Sequence, residues 1–578
     1  MYKILILTVF HLVTLLSAQN NLLLPDTLNG EIVNLTLQHG TYQFYPGLDS
    51  KTMGVNGDIL GPTLIFNKGN YVDIFVKNQL EDTTTIHWHG MHVSAENDGG
   101  PHTTIAPGEI WNPHFTVLDK AGTYWYHPHL HQKTNEHVSK GIAGFIIVRD
   151  EEEAGLNLPR RYGIDDFPLA IQTKTFDNDM EIVVPSNSDS VLLVNATINA
   201  VLNVPAQVVR FRLLDGSSQR VFNIGLSDNK SFYQIGSDGG LLSNSNELTR
   251  LQISPGERAE ILIDFSSLEG QTVYLKSYAS EFSNGIYGAT NPGMGQGMSM
   301  TGYNPNPLNG NDFTIVQFNV GSQTDNAITE IPSSLALVNP LLEASADTTR
   351  DFILTATTHG QNALNGEFLI NDAYFEMNII NEVIPLNNVE VWSITNQSPI
   401  AHPFHIHDVQ FYILDRNGSA PNLSEQGKKD VVLIKPMETV RFITEFKDFA
   451  NDSVPYMYHC HMLTHEDQGM MGQFVVIDES VLSITDDQIS VYQFELFQAY
   501  PNPFNPETNI EFELKNPGLV SLAVYNVLGQ KVATLLNESM NSGVHAIKFR
   551  ADNFPSGIYY YALISNGQQT VRKMMLVK

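Results

Sequence analysis

His459-Cys460-His461-Met462-Leu463-Thr464-His465-Glu466-Asp467-Gln468-Gly469-Met470 sets the single cysteine of the chain between two histidines, with a third histidine and a methionine five and ten residues beyond it. On an extended segment successive side chains point to opposite faces, so Cys460 faces away from His459 and His461. A metal held by the thiol then lies on one side, and the two imidazoles serve a different site behind it. With one cysteine no intramolecular disulfide forms, and packing alone must hold the fold.

Nineteen histidines are present, and residues 87–92, 127–131, 402–407 and 459–465 each hold three of them. His87-Trp88-His89-Gly90 and His127-Pro128-His129 have i, i+2 spacing, which directs both imidazoles to one face of a strand. His402-Pro403-Phe404-His405-Ile406-His407 repeats it with a further histidine three residues earlier. Cys460, His465 and Met470 belong to the soft set that blue copper prefers, two imidazoles, a thiolate and a weak thioether, and His402 is the candidate for the missing imidazole. The remaining eight, His87, His89, His127, His129, His405, His407, His459 and His461, can hold more than one further copper. Zinc also takes imidazole, but it has no redox chemistry and leaves the cysteine site without purpose.

The chain is long enough for about four domains. Its 42% hydrophobic and 16% charged residues, with 42 Gly, 28 Pro and 22 Tyr, exclude wholesale disorder and a coiled coil. Short runs such as Tyr71-Val-Asp-Ile-Phe-Val76 and Glu260-Ile-Leu-Ile-Asp-Phe265, separated by Gly, Pro and Asn turns, predict an all-β protein. The acidic run Asp150–Glu153 followed by Pro159 reads as a linker, and a second falls around 325–350. Residues 1–18 read as a signal peptide, since the apolar run of about 13 residues is short of the roughly 20 needed to span a membrane. No later segment reaches that length, so no transmembrane segment is expected in the mature protein. The net charge of −30 repels nucleic-acid phosphates and anionic lipid.

The four histidine motifs together resemble those of the multicopper oxidases, most of all the bacterial laccase and cuprous oxidase group, over roughly residues 25–478. The resemblance implies three cupredoxin-like Greek-key β-barrel domains, at 22–150, 165–322 and 350–478. It implies four copper ions: a type 1 copper on His402, Cys460, His465 and Met470, a type 2 copper on His87 and His405, and a type 3 pair. One type 3 copper takes His89, His127 and His461, the other His129, His407 and His459. Dioxygen would be the acceptor and a small reducing substrate, phenolic or a metal ion, the donor. The family's electron doorway is a partly exposed edge of His465 or His402. Asp98 and Glu466 occupy positions of carboxylates that relay protons in similar oxidases, a role within the reach of a hydrogen-bonded carboxylic acid.

Met294, Met298 and Met300 lie in a Gly-rich loop suited to collecting Cu(I). His92, His102, His114, His131, His137 and His359 match no motif position and read as ordinary surface or core residues. The alternatives are a copper-dependent nitrite reductase, a copper-binding electron carrier without oxygen chemistry, for which the eight extra imidazoles are superfluous, and a scaffold relative that has lost its copper.

Residues 492–578 open on Tyr500-Pro-Asn-Pro-Phe-Asn-Pro506 and include Ser556-Gly-Ile-Tyr-Tyr-Tyr561, and read as a small C-terminal β-sandwich. They resemble the type IX secretion sorting domain, which implies passage through the periplasm, contact with that secretion machinery, and release or surface attachment. Deleting 492–578 is expected to trap the chain in the periplasm; fractionation showing normal secretion of the truncated chain would refute this.

Overall fold

The computed structural model describes residues 20–186, 188–292, 306–357, 364, 366–478, 494–515, 517–526, 531–552, 554–565 and 568–578. The expected signal peptide, the three methionines Met294, Met298 and Met300, and His359 lie outside the described residues. Strands dominate, as expected, and among the described residues no helix is long and apolar enough to cross a membrane.

In the first domain, strand β1 (Tyr71–Asn78) buries Val72, Ile74 and Val76 and exposes Tyr71 and Lys77, the alternation of a half-buried strand. It belongs to a sheet packed against a second sheet in which Thr27–Asn29, Thr63–Asn67, Gly144–Arg149, β3 (Gly122–His127) and β2 (His87–His89) lie side by side. Strands β2 and β3 are antiparallel, with His87 opposite His127 and His89 opposite Trp125. That register puts Trp88 and Tyr126, one step along, on the other face, within the core of Val33, Leu35, Ile74 and Ile146. The strand's apolar face therefore aims its histidines outward.

Helix α1 (Ala95–Asp98) ends at Gly99 in the left-handed region, φ 82°, where a Cβ would lie 1.7 Å from the Ile86 carbonyl oxygen. Glycine alone lets this turn close on the segment that leads into β2. Helix α2 (Thr134–Lys140) follows the second histidine pair. The expected acidic linker is an ordered clasp: Asp150 caps α3 (Glu151–Ala154) by accepting from the Glu153 amide at 2.7 Å, and buried Glu153 pairs with Arg149 and with Arg210 of the next domain. Opposite charges from the second domain draw the run inward, which its composition alone does not show.

The second domain stacks a seven-stranded sheet on a six-stranded one around Phe211, Phe318, Ile261 and Leu213. Asn20–Asn21 pairs in parallel with Ala200–Pro205, and Leu22 enters this core rather than that of the first domain. Strand β4 (Arg258–Asp264) belongs to the larger sheet.

The third domain packs two five-stranded sheets around Trp392, Phe352, Phe404, Tyr458 and Phe474. Its β5 (His402–Ile406) and β6 (Asn451–Cys460) pair antiparallel, with His405 opposite His459 and Phe404 opposite Cys460. The predicted facing holds: Phe404 and Cys460 enter the core, and His405 and His459 share the opposite face. A short helix, α4 (Leu463–Asp467), follows.

The described residues up to Asp478 form one compact unit and those from Phe494 another. The latter is a sandwich of a three-stranded and a four-stranded sheet around Phe512, Leu522, Val524, Tyr561 and Leu563.

Trp392 contacts Phe352 and Tyr458 at ring distances of 4.6 and 5.5 Å and its indole N–H donates to Glu390 at 3.0 Å. Trp392→Ala is expected to cost about 3–5 kcal/mol, read as a lowered denaturation midpoint of the third domain.

Candidate metal centres

All ten motif histidines and Cys460 are buried, and they gather into two groups. In the first, the Cys460 Sγ lies 3.4 Å from His402 Nδ1 and 3.6 Å from His465 Nδ1. The outer nitrogens are occupied: His402 Nε2 bonds Ser398 Oγ at 2.7 Å, and His465 Nε2 donates to the Leu364 carbonyl at 2.9 Å. Each ring thus presents Nδ1 to the sulfur. Met470 is buried in the same core, its carbonyl accepting from the Cys460 amide and its amide donating to the His465 carbonyl. The expected exposed histidine edge is absent: both rings are fully covered, with Phe368 packed at 4.6 and 4.4 Å from them.

The second group joins the first and third domains. His129 Nε2 lies 3.0 Å from His459 Nε2 and 3.1 Å from His407 Nε2. His89 Nδ1 lies 3.3 Å from His127 Nε2 and 3.2 Å from His461 Nε2. These are the two triplets that the resemblance assigns to a type 3 pair. His87 stacks on His407 and His405 on His89, each at 3.8 Å. The Nε2 atoms of His87 and His405 have no hydrogen-bond partner among the described residues. A buried polar atom without a partner is costly, and here imidazoles converge from four polypeptide segments, 87–89, 127–129, 405–407 and 459–461. The set suits imidazole-loving metals such as copper.

Hydrogen bonds on the far sides decide which nitrogen faces inward. His87 Nδ1 donates to the Asp98 carbonyl at 3.0 Å, His405 Nδ1 to the Asp430 carbonyl at 2.8 Å, and His127 Nδ1 to the Pro128 carbonyl at 2.8 Å. His407 Nδ1 donates to Asp98 Oδ2 at 2.8 Å. His89 is reversed: its Nε2 donates to Asp430 Oδ1 at 3.1 Å, which leaves Nδ1 for the group. Glu466 lies between His129 and His459, its oxygens 3.6 and 3.4 Å from their Nδ1 atoms.

Burial, reinforced by neighbouring imidazoles, pushes His89, His127, His129, His402, His405, His407 and His461 well below the ordinary histidine range. Burial brings His459 to about 3 and His465 to about 4. Neutral imidazole is the ligand form. Burial raises the Cys460 thiol and pushes the Glu466 carboxyl well above its usual range, favouring its protonated form.

The unassigned histidines have ordinary duties. His137 is buried, bonding Thr84 Oγ1 at 3.0 Å, and His102 meets Gln473 at 2.7 Å. His114 contacts the Asn112 carbonyl, and His131 packs on Phe375. Burial lowers His92, but the carboxylates of Asp408, Asp119 and Asp448 outweigh it and bring it to about 10. Sequence reasoning missed Ser398, Leu364 and Asp430. Ser398 lies four residues before His402, close enough to be sought; Leu364 and Asp430 have no such signal.

The family comparisons agree with this geometry. Multicopper oxidase models match residues 36–153 and 343–480, and a secretion system C-terminal sorting domain matches 498–578. The chain is 33% identical to a multicopper oxidase of Staphylococcus haemolyticus over 79% of its length and 93% of that protein. It is 30% identical to the cell division protein FtsP of Proteus mirabilis, over 78% and 91%. The solved laccase-like multicopper oxidase CueO of the lignin-degrading Ochrobactrum sp., active towards lignin model compounds, superposes with a TM-score of 0.69 at 32% identity, over 79% of this chain and all of that one. The fold is that of the cupredoxin-built copper oxidoreductases. This chain belongs to the multicopper oxidase family and is a copper-binding, laccase-like oxidoreductase with a C-terminal sorting domain that suggests export and secretion.

Unfolding returns His465 from about 4 to 6.5, so between those values the unfolded chain binds more protons and stability rises with pH. In chelator-stripped protein, stability should therefore fall as pH drops from 6.5 to 4 more steeply than in His465→Leu. Equal slopes in denaturant titrations would contradict this.

Proposed function

We propose that the chain holds four coppers: type 1 on His402, Cys460, His465 and Met470, type 2 on His87 and His405, and a type 3 pair on His89, His127 and His461 and on His129, His407 and His459. The convergence of ten buried imidazoles, most of them lowered toward the neutral form by burial and hydrogen-bonded on their outward nitrogens, carries this reading. We take the three cupredoxin domains as 22–150, 165–322 and 350–478, with Leu22 packing into the core of the second. Copper so held supplies one-electron acceptance from a donor beside Cys460 and four-electron reduction of dioxygen to water at the histidine cluster.

The protein's own residues do the rest. Cys460 joins the two groups covalently, since its chain neighbours His459 and His461 sit in the cluster and its sulfur in the other. Asp98 orients His87 with its carbonyl and His407 with its carboxylate. Burial favours the protonated form of Glu466, whose oxygens lie within 4 Å of two cluster imidazoles, and Asp98 and Glu466 serve as proton relays. Burial of every ligand excludes water.

The donors we propose are phenols or Cu(I), and secretion runs through the periplasm and the type IX machinery. The likeness to a cell division protein admits a non-catalytic reading, and nitrite reduction is a further alternative. A scaffold has no use for convergent unbonded imidazole nitrogens, which favours the oxidase.

Copper analysis and oxygen uptake across a donor panel test this, with four coppers per chain and oxygen consumption without nitrite consumption expected. Well under four coppers in reconstituted protein would overturn it. Asp98→Asn and Glu466→Gln should slow oxygen consumption by about 10²-fold or more while the blue absorbance stays; unchanged turnover would refute the relay.

A further inference from the structure

The second domain contributes no motif histidine, yet one of its side chains reaches the cluster. Arg258, at the start of β4, is fully buried. Its Nη1 and Nη2 grip the Asp430 carboxylate at 2.6 and 2.5 Å. The remaining donors go to main-chain oxygens: Nε to Thr123 of β3 at 3.2 Å, Nη1 to Gly256 at 2.9 Å and Nη2 to Asp238 at 3.1 Å. All five guanidinium N–H groups are thereby used, in a planar fork that an ammonium cannot reproduce.

Asp430 acts on two histidines at once. Its Oδ1 accepts from His89 Nε2 and its carbonyl from His405 Nδ1, and these two rings stack at 3.8 Å and 9°. Two glycines make room. A Cβ at Gly90 would lie 2.4 Å from Asp430 Oδ2 and 2.5 Å from Arg258 Nη2, and one at Gly256 would lie 2.9 Å from the His461 ring.

We propose that Arg258 and Asp430 are a positioning pair through which the second domain selects Nδ1 of His89 as its metal-facing nitrogen and sets the parallel stack of His89 on His405. This rests on the four-copper reading above. A carboxylate at Nε2 keeps the proton there and leaves the Nδ1 lone pair free toward His127 and His461. Without the fork, the carboxylate is free to swing and His89 to adopt either tautomer. Among the described residues, the hydrogen bonds of Arg258 and Asp430 reach none of His402, Cys460 and His465.

The test uses copper-loaded full-length Arg258→Lys and Asp430→Asn, with Arg212→Lys as a matched control. Arg212 is an equally buried fork, held by Asp166, Glu260 and the Thr123 hydroxyl, and among the described residues it bonds none of the cluster histidines. In Arg258→Lys and Asp430→Asn the blue absorbance per chain should match the parent. The type 2 electron paramagnetic resonance signal should change, and cluster copper should be lost to a chelator at about tenfold lower concentration. Arg212→Lys should lower the melting temperature and leave both copper readouts at the parent value. Parent-like signals and retention in both Arg258→Lys and Asp430→Asn, or the same copper loss in Arg212→Lys, would overturn the proposal. A parent chain that takes up no more than one copper would overturn the four-copper reading and this proposal with it.

Discussion

The structure depends on the two-residue period of a strand acting at Cys460. With Phe404 opposite Cys460 and His405 opposite His459, a slip of one residue would turn the thiol to the cluster and the imidazoles into the core. The register is held by what lies behind it. Phe404 and Tyr458 pack around Trp392 and Phe352 in the third core, so the same aromatic packing that stabilises the sheet decides where every ligand on β5 and β6 points. In the first domain Trp88 and Tyr126 play the matching part, holding β2 and β3 with their histidines facing out of that core.

Burying ten imidazoles would be unfavourable if they were charged. Desolvation lowers nine of them toward the neutral form, and hydrogen bonds behind most of them hold the proton on the outward nitrogen. Several of these acceptors are main-chain carbonyls, those of Asp98, Pro128, Leu364 and Asp430. Tautomer choice is thus built into backbone geometry, and only Asp98 and Asp430 add a carboxylate to it. Ligand orientation and fold stability therefore share the same bonds.

The interface between the domains is ionic where its surroundings are dry. Arg210, Arg212 and Arg258 are fully buried, each held by carboxylates from more than one segment. Such pairs are strongly unfavourable to break singly, and those of Arg210 with Glu153 and of Arg258 with Asp430 tie the second domain to the other two. The acidic run Asp150–Glu153 belongs to this interface.

The histidine and cysteine motifs and the all-β character were legible from the sequence because both depend on local spacing. The i, i+2 histidines, the cysteine between two of them and the alternating apolar strands each express strand periodicity within a few residues. Which imidazoles come together, and by which nitrogen, depends on contacts between segments some 300 residues apart in sequence, such as His129 with His459 and His407 with Asp98. The covering of His402 and His465 by Phe368 and the Leu364 carbonyl, and the reach of Arg258 to Asp430, have no local signature. They arise from how whole domains pack, and only the tertiary structure decides them.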